Sequence, residues 1–192
     1  MMLVGIAGGT ASGKTTIARH VVGALGARAA LLSHDRYYRD VPEPRGFNYD
    51  HPDALDSARL VQNLDELRSQ GQTELPVYDF ASHRRQDRTE RLHAPDVLVV
   101  EGILVLADPQ LAERFDLRVY VHAPSDLRLA RRLRRDLVER GRTAESVLDQ
   151  YLATVRPMHE RFVAPSRQRA SLVLDGGGPL QAAVDSLLEA IG

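Results

Sequence analysis

Apolar residues along this chain follow two alternating rhythms. Leu3–Ala7, Ala29–Leu32, Asp96–Val100 and Leu117–Val121 are short, mainly apolar runs, interrupted only by Asp96 and Arg118 and closed by glycine or by polar residues. Such runs predict strands buried on both faces of a parallel sheet. Between them, apolar positions recur at three- and four-residue spacing. Ile17, Val21, Val22 and Leu25 predict a helix over Lys14–Leu25 that ends near Gly26. Leu55, Ala58, Leu60, Val61, Leu64 and Leu67 predict another over Pro52–Gln70, stopped by Gly71. Asp126–Arg140, Ala144–Phe162 (broken near Pro157) and Pro179–Ile191 continue the helical pattern, with a short helix at Pro109–Arg114 and a last strand at Leu172–Leu174. Two stretches fit neither rhythm. Ser33–Pro52 reads as a loop, and Glu74–Phe80 as an extended segment leading into a polar run through His93, a flap or β-hairpin over about 74–93. Strands alternating with helices predict an α/β fold, one domain over 1–192 with a parallel sheet and helices on both faces.

The first strand runs into Gly8-Gly9-Thr10-Ala11-Ser12-Gly13-Lys14-Thr15 and from there into a helix. This is G-x-x-x-x-G-K-[ST] in the context that gives it meaning, so the sheet is expected to be of the P-loop NTPase type. The glycines let backbone N–H groups turn around phosphates, and the helix N-terminus adds its positive end. Lys14 is expected to reach the β- and γ-phosphates of ATP, and Thr15 to bind Mg²⁺, with Thr16 opening the helix beside them.

Composition sharpens this reading. Of 25 basic residues, 24 are arginine and Lys14 is the single lysine. A compact ammonium at the cradle does a job that arginine's planar fork does less well. The absence of cysteine excludes disulfides, thiolate metal sites and thiol nucleophiles. A net charge of -1 argues against a general nucleic-acid binder. The apolar runs are too short to span a bilayer, and MMLVGIAGG has neither a basic leader nor a cleavable apolar stretch, so the expectation is a cytoplasmic protein with no membrane partner.

A guanine-reading N-K-x-D string is absent, which excludes a GTPase switch and leaves a small-molecule kinase. Such an enzyme needs a base for the acceptor hydroxyl, metal ligands and cations over the transferring phosphoryl group. Asp35 follows the second strand and Glu101 ends the third; in a parallel sheet those ends face the ligand crevice. Asp35 is therefore the candidate base and, with Thr15 and Glu101, a candidate metal contact; taken singly, each carboxylate also fits a helix cap or a solvated loop. Between Arg128 and Arg142 seven arginines stand against Asp136 and Glu139, a local charge of +5. Leu129, Leu133 and Leu137 form one stripe of that helix, and Arg128, Arg132 and Arg135 another. By itself the segment from about 125 to 142 reads as a solvated basic face; beside the cradle it reads as a helical lid that places arginines on phosphates.

The succession GGTASGKTT, SHDRYYR, FNYDHPDALD, PVYDFASHRR, VLVVEGIL, RRLRRDLVERGR and QYLATVRPMHERFVAPSRQRA, in this order from residue 4 to about 170, resembles the uridine kinase (uridine–cytidine kinase) family. The resemblance implies transfer of the ATP γ-phosphate to the 5′-hydroxyl of uridine or cytidine, a pyrimidine salvage reaction, with Mg²⁺ and a homo-oligomeric state. It implies Asp35, Lys14 and Arg135 as the catalytic set, and Gly8 to Thr16 with Arg132, Arg135 and Arg140 as the ATP site. For the nucleoside it implies Asp50 on the ribose hydroxyls, Tyr78 and His83 on the base edge, Phe80 against the base, and Tyr38, Arg85, Ile103, Arg132, Arg142 and Gln150 around it. Taken alone, His83 reads as a loop histidine and Tyr78 and Phe80 as core. The chain departs from the family at Thr10, at His34 and at Asp175–Pro179, the last near the expected adenine. Open alternatives are a related kinase acting on a sugar phosphate or pantothenate, a non-catalytic nucleotide-binding regulator, and a nucleic-acid module built on the arginine helix.

Overall fold

In the computed structural model, which describes residues 1–41 and 46–192, the centre is a five-stranded sheet with every pairing parallel. In chain order the elements are β1 (Met2–Gly8), α1 (Lys14–Leu25), β2 (Ala29–Ser33), α2 (Ser57–Gln70), β3 (Gln72–Asp79), β4 (Arg84–His93), β5 (Val97–Glu101), α3 (Pro109–Ala112), β6 (Leu117–His122) and α4 (Ser125–Arg140). They continue with α5 (Ala144–Gln150), α6 (Arg156–Met158), α7 (Ala164–Ser166), β7 (Leu172–Asp175) and α8 (Leu180–Ile191). The strand order is β2-β5-β1-β6-β7. Parallel strands need crossovers, and these place α2 on one face and α1 with α8 on the other. On the first face Leu60, Leu64 and Leu67 of α2 pack with Leu3, Leu98 and Val100; on the second Ile17, Val21, Val184 and Leu187 pack with Val4, Val99 and Val119. Both faces of β1 and β5 are thus covered, as their unbroken apolar runs require.

The flap is an antiparallel hairpin of β3 and β4. Its apolar side faces α2, where Asn63 links Tyr37, Thr73 and the Glu74 carbonyl in a buried polar junction.

Three boundaries differ from the sequence reading. The helix expected from Pro52 begins at Ser57, because Asp56 caps it by accepting from Arg59 N–H and Leu55 is drawn into a bridge with Tyr38. The loop expected over Ser33–Pro52 contains short 3₁₀ turns at His34–Tyr37 and Pro52–Ala54; positions 42–45 lie outside the described residues. The break expected near Pro157 does not occur. From Ala144 to Ser166 the chain stays helical by widening into π turns at Tyr151–Val155 and His159–Val163, just before Pro157 and Pro165. A proline ring clashes with the carbonyl four residues back and cannot donate to it, and a wider turn relieves both problems.

Candidate active site

The turn between β1 and α1 begins the site. Gly13 caps α1 with φ of 99° and ψ of -1°, a left-handed conformation that costs glycine nothing, and Ala11 is also left-handed at φ 58°. No side chain caps α1, so its first N–H groups remain free for a ligand. In register, Ser33 of β2 lies opposite Glu101 of β5, which puts both side chains on one side of the sheet at its C-terminal edge. Glu101 is buried there. It accepts from Thr15 Oγ1 at 3.0 Å and from Ser33 Oγ at 3.1 Å, and lies 3.7 Å from Lys14 Nζ. Thr15, Glu101 and Asp35 are hard oxygen donors. Among the described residues no cluster of three or more His, Cys, Asp or Glu is arranged to hold a metal alone. That donor set suits Mg²⁺, which keeps several waters and is held by one or two carboxylates together with substrate phosphates.

These groups open into a cleft of about 1380 Å³. Thr10, Ala11, Gly13, Lys14, Thr15 and Thr16 form its phosphate end; Asp35, Tyr38, Asp50, Tyr78, Phe80, His83 and Ile103 form the other; Arg132, Arg135, Arg140, Arg142 and Gln150 lie along it. Asp35 stands in the 3₁₀ turn after β2, its N–H donating to Ser33 Oγ at 3.3 Å. Withdrawal from solvent pushes its carboxyl up to about 6, the negative charges of Glu101 and Asp50 add to this, and Lys14 opposes it. A carboxylate poised near neutrality beside a phosphate cradle is suited to accept a proton from an alcohol.

At the far end the rings pack at tilted and edge-to-face angles. Tyr38 meets Tyr49 at 5.5 Å and Tyr78 at 5.6 Å between centroids, and Tyr78 meets Phe80 at 5.1 Å. Tyr49 Oη and His83 Nδ1 share a hydrogen bond of 2.9 Å. The Tyr78 hydroxyl is buried with no partner among the described residues, and burial pushes it up to about 12. Phe80 is 58% exposed at the hairpin tip, so it is not core. Burial raises the Asp50 carboxyl above its usual value against the pull of Arg132.

The arginine helix turns its charged stripe inward. The buried residues of α4 are Arg128, Arg132 and Asp136, while Leu137 of the leucine stripe is 40% exposed. Asp136 explains the inversion. Fully buried, it pairs with Arg135 at 2.9 Å, Arg140 at 3.3 Å, Arg132 at 3.6 Å and Arg142 at 3.7 Å. Gln150 Oε1 accepts from Arg132 at 2.8 Å and Arg142 at 2.6 Å, and Arg132 also donates to Thr10 Oγ1 at 3.1 Å. Four guanidinium groups are thereby gathered beside the cradle. Burial lowers the pKa of Arg132, with Asp136 opposing.

Four expected site residues are not on the cleft wall. Gly8 and Ser12 lie behind the turn, Ser12 fully buried, and Gly9 borders a second cavity. Arg85 is committed elsewhere: it donates to the carbonyls of Tyr37 and Tyr38 and pairs with Asp56 at 3.1 Å, anchoring the hairpin to the Asp35 turn. Arg128, from the same stripe as Arg132, also faces the second cavity. The sequence reading overlooked Ser33, Tyr49 and Asp136 as site residues. Only the first carries a signal that could have found it, a polar residue ending an apolar strand.

The model of the phosphoribulokinase / uridine kinase family matches residues 3–181. The chain is 46% identical over 196 residues to the uridine kinase of Chloroflexus aurantiacus, covering 99% of this chain and 94% of the relative. It is 43% identical over 193 residues to that of Clostridium botulinum, covering 97% and 94%. Among solved structures, phosphoribulokinase from Rhodobacter spheroides superposes with a TM-score of 0.68 at 17% identity over 93% of this chain and 73% of that one, a likeness of fold.

Proposed function

The chain belongs to the phosphoribulokinase / uridine kinase family, and from that premise we propose that it transfers the γ-phosphoryl group of ATP to the 5′-hydroxyl of uridine, and of cytidine, giving the monophosphate. The observation that carries this reading is Asp35: a carboxyl raised to about 6 shares one cleft with the cradle and with a ring-lined end able to take a pyrimidine.

In this reading Lys14 and the first N–H groups of α1 hold the β- and γ-phosphates, while Arg132, Arg135 and Arg140 neutralise the charge that builds as the phosphoryl group moves. Thr15 and Glu101 would hold Mg²⁺, which would supply further neutralisation of the phosphate oxygens. Asp50 accepts the ribose hydroxyls and so fixes the sugar. Asp35 accepts the 5′-hydroxyl proton at its carboxylate as the oxygen attacks in line. His83, aligned by Tyr49, and the Tyr78 hydroxyl, which has no partner among the described residues, offer hydrogen bonds to the base edge, and Phe80 offers a face for stacking. The rings and His83 favour a base-bearing acceptor over a sugar phosphate. Isotope-labelled ATP offered with uridine, cytidine, ribulose 5-phosphate and pantothenate tests the proposal. Label in the nucleoside monophosphates is expected. Label in ribulose 5-phosphate with none in uridine would refute it, and ATP binding without transfer to any acceptor would favour a regulator.

A further inference from the structure

A second cavity, of about 310 Å³, lies behind the phosphate turn, bounded by Gly9, Tyr120, Ser125, Arg128, His159 and Arg167. We infer that it is a second oxyanion site, taking inorganic phosphate or a phosphate monoester.

Among the described residues two arginines line this cavity and no aspartate or glutamate does. Arg128 is only 5% exposed. Its Nε donates to the Ala123 carbonyl at 3.1 Å, but its Nη1 is buried with no partner, and none of the ion pairs among the described residues includes it. A buried guanidinium without a carboxylate is strongly unfavourable, so one that persists implies a counter-charge from elsewhere. Arg128 and Arg167 border the same cavity as Tyr120, so both side chains can reach one bound anion.

The remaining groups include further donors. Helix α4, 16 residues long, begins at this cavity after Pro124 with no side chain capping its first N–H groups. Asp126, the one acid in its first turn, is exposed and does not line the cavity. His159 contributes a second buried, unpartnered atom, Nδ1, and burial beside Arg128 lowers its pKa to about 4, so at neutral pH it is an uncharged ring. Water would satisfy hydrogen bonds here but not the charge. The volume is about ten times a water's share of the liquid, which leaves room for a phosphate and a small ester group.

The site is separate from the front cleft but touches its rear wall. A Cβ added to Gly9 would sit 2.6 Å from Arg128 Nη1 and 3.0 Å from His159 Cε1, so this glycine lets the guanidinium and the imidazole pack against the back of the phosphate turn.

The test is calorimetric titration of the full chain with inorganic phosphate and, separately, glycerol 3-phosphate, while Mg²⁺ and a non-hydrolysable ATP analogue fill the front cleft. A saturable site is expected to remain, and Arg167→Gln, at an exposed position outside the active site, is expected to weaken it at least tenfold. Either preference between the two ligands supports the site and names its source. No binding once the cleft is filled, or equal affinity in Arg167→Gln, would overturn the inference. So would unchanged phosphate affinity in Arg128→Gln, provided its melting curve shows it folded. Filling of the cleft is read in a prior titration of the analogue. If the analogue fails to bind, that failure bears on the proposed function, and Lys14→Ala then silences the front cradle in its place.

Discussion

Thr15 donates its hydroxyl to Glu101 Oε2 across 3.0 Å, and the same oxygen lies 3.7 Å from Lys14 Nζ. The residue expected on the metal and the residue expected on the phosphates thus share one carboxylate. Glu101→Gln keeps the shape and an oxygen for Thr15 but removes the charge. The apparent Mg²⁺ affinity is expected to fall by about 10–100-fold, read as activity against free Mg²⁺ at saturating ATP. An unchanged Mg²⁺ dependence would remove Glu101 from the metal site.

Asp35 must be ionised to accept a proton, and its carboxyl is raised to about 6. For the nucleoside, kcat/KM is therefore expected to be level above that pH and to drop about tenfold per pH unit below it. Asp35→Asn should abolish this limb and lower kcat by about 10²–10⁴-fold while leaving the KM for ATP within about twofold. Equal losses in both would argue that Asp35 holds the nucleotide and is not the base.

The same shift predicts a change in stability of opposite sign. A raised folded pKa means that the native chain holds the Asp35 proton more tightly than the unfolded chain does. The native state therefore loses stability as pH rises from about 4 through 6, and carries the full penalty above that. Asn is neutral at every pH. Asp35→Asn should be more stable than the parent at pH 7.5, on the order of 1–3 kcal/mol, and should lose that advantage at pH 4. Urea unfolding at the two pH values measures the difference.

Asp136 holds Arg132, Arg135, Arg140 and Arg142 while being fully buried. Asp136→Asn leaves four cations facing one another around a neutral amide. Removing one partner of a buried ion pair costs about 3–5 kcal/mol, and loss of that order is expected in urea unfolding. ATP should recover part of it, since its phosphates supply the missing negative charge. An equal loss with and without ATP would separate this cluster from the nucleotide.

The sheet, the cradle and the two acids at strand ends were legible because each follows from a local rule: unbroken apolar runs, a glycine motif between strand and helix, and strand polarity. The helix through Pro157 was not legible, since a proline can either end a helix or be carried through it by a π turn, and only the packing of the long helix decides which. That the charged stripe of α4 is buried was not legible for a similar reason. Pairing with Asp136 and Gln150 makes Arg132 a buried residue, and those partners become visible only once the chain is folded. Arg85 shows the converse. Beside the flap it looked like a ligand contact, yet it spends its donors on the carbonyls of Tyr37 and Tyr38 and on Asp56.

Tyr49 escaped the sequence reading because an exposed-looking loop tyrosine carries no pattern of its own. In the fold its ring packs against Phe47 at 4.9 Å and Tyr38 at 5.5 Å, and its hydroxyl meets His83 Nδ1 at 2.9 Å. His83 is itself held at φ 56°, an uncommon backbone conformation for a residue with a side chain. The hydrogen bond thus fixes the ring orientation of the histidine proposed to meet the base. Tyr49→Phe keeps the packing and removes only that bond. Losing one hydrogen bond is worth about 0.5–1.5 kcal/mol, so the KM for uridine should rise by about 2–10-fold, with kcat and the KM for ATP unchanged. His83→Ala should produce the same defect, and the double variant should be no worse than His83→Ala alone, because the tyrosine hydroxyl acts only through the ring. Additive losses in the double variant would show that Tyr49 touches the nucleoside directly.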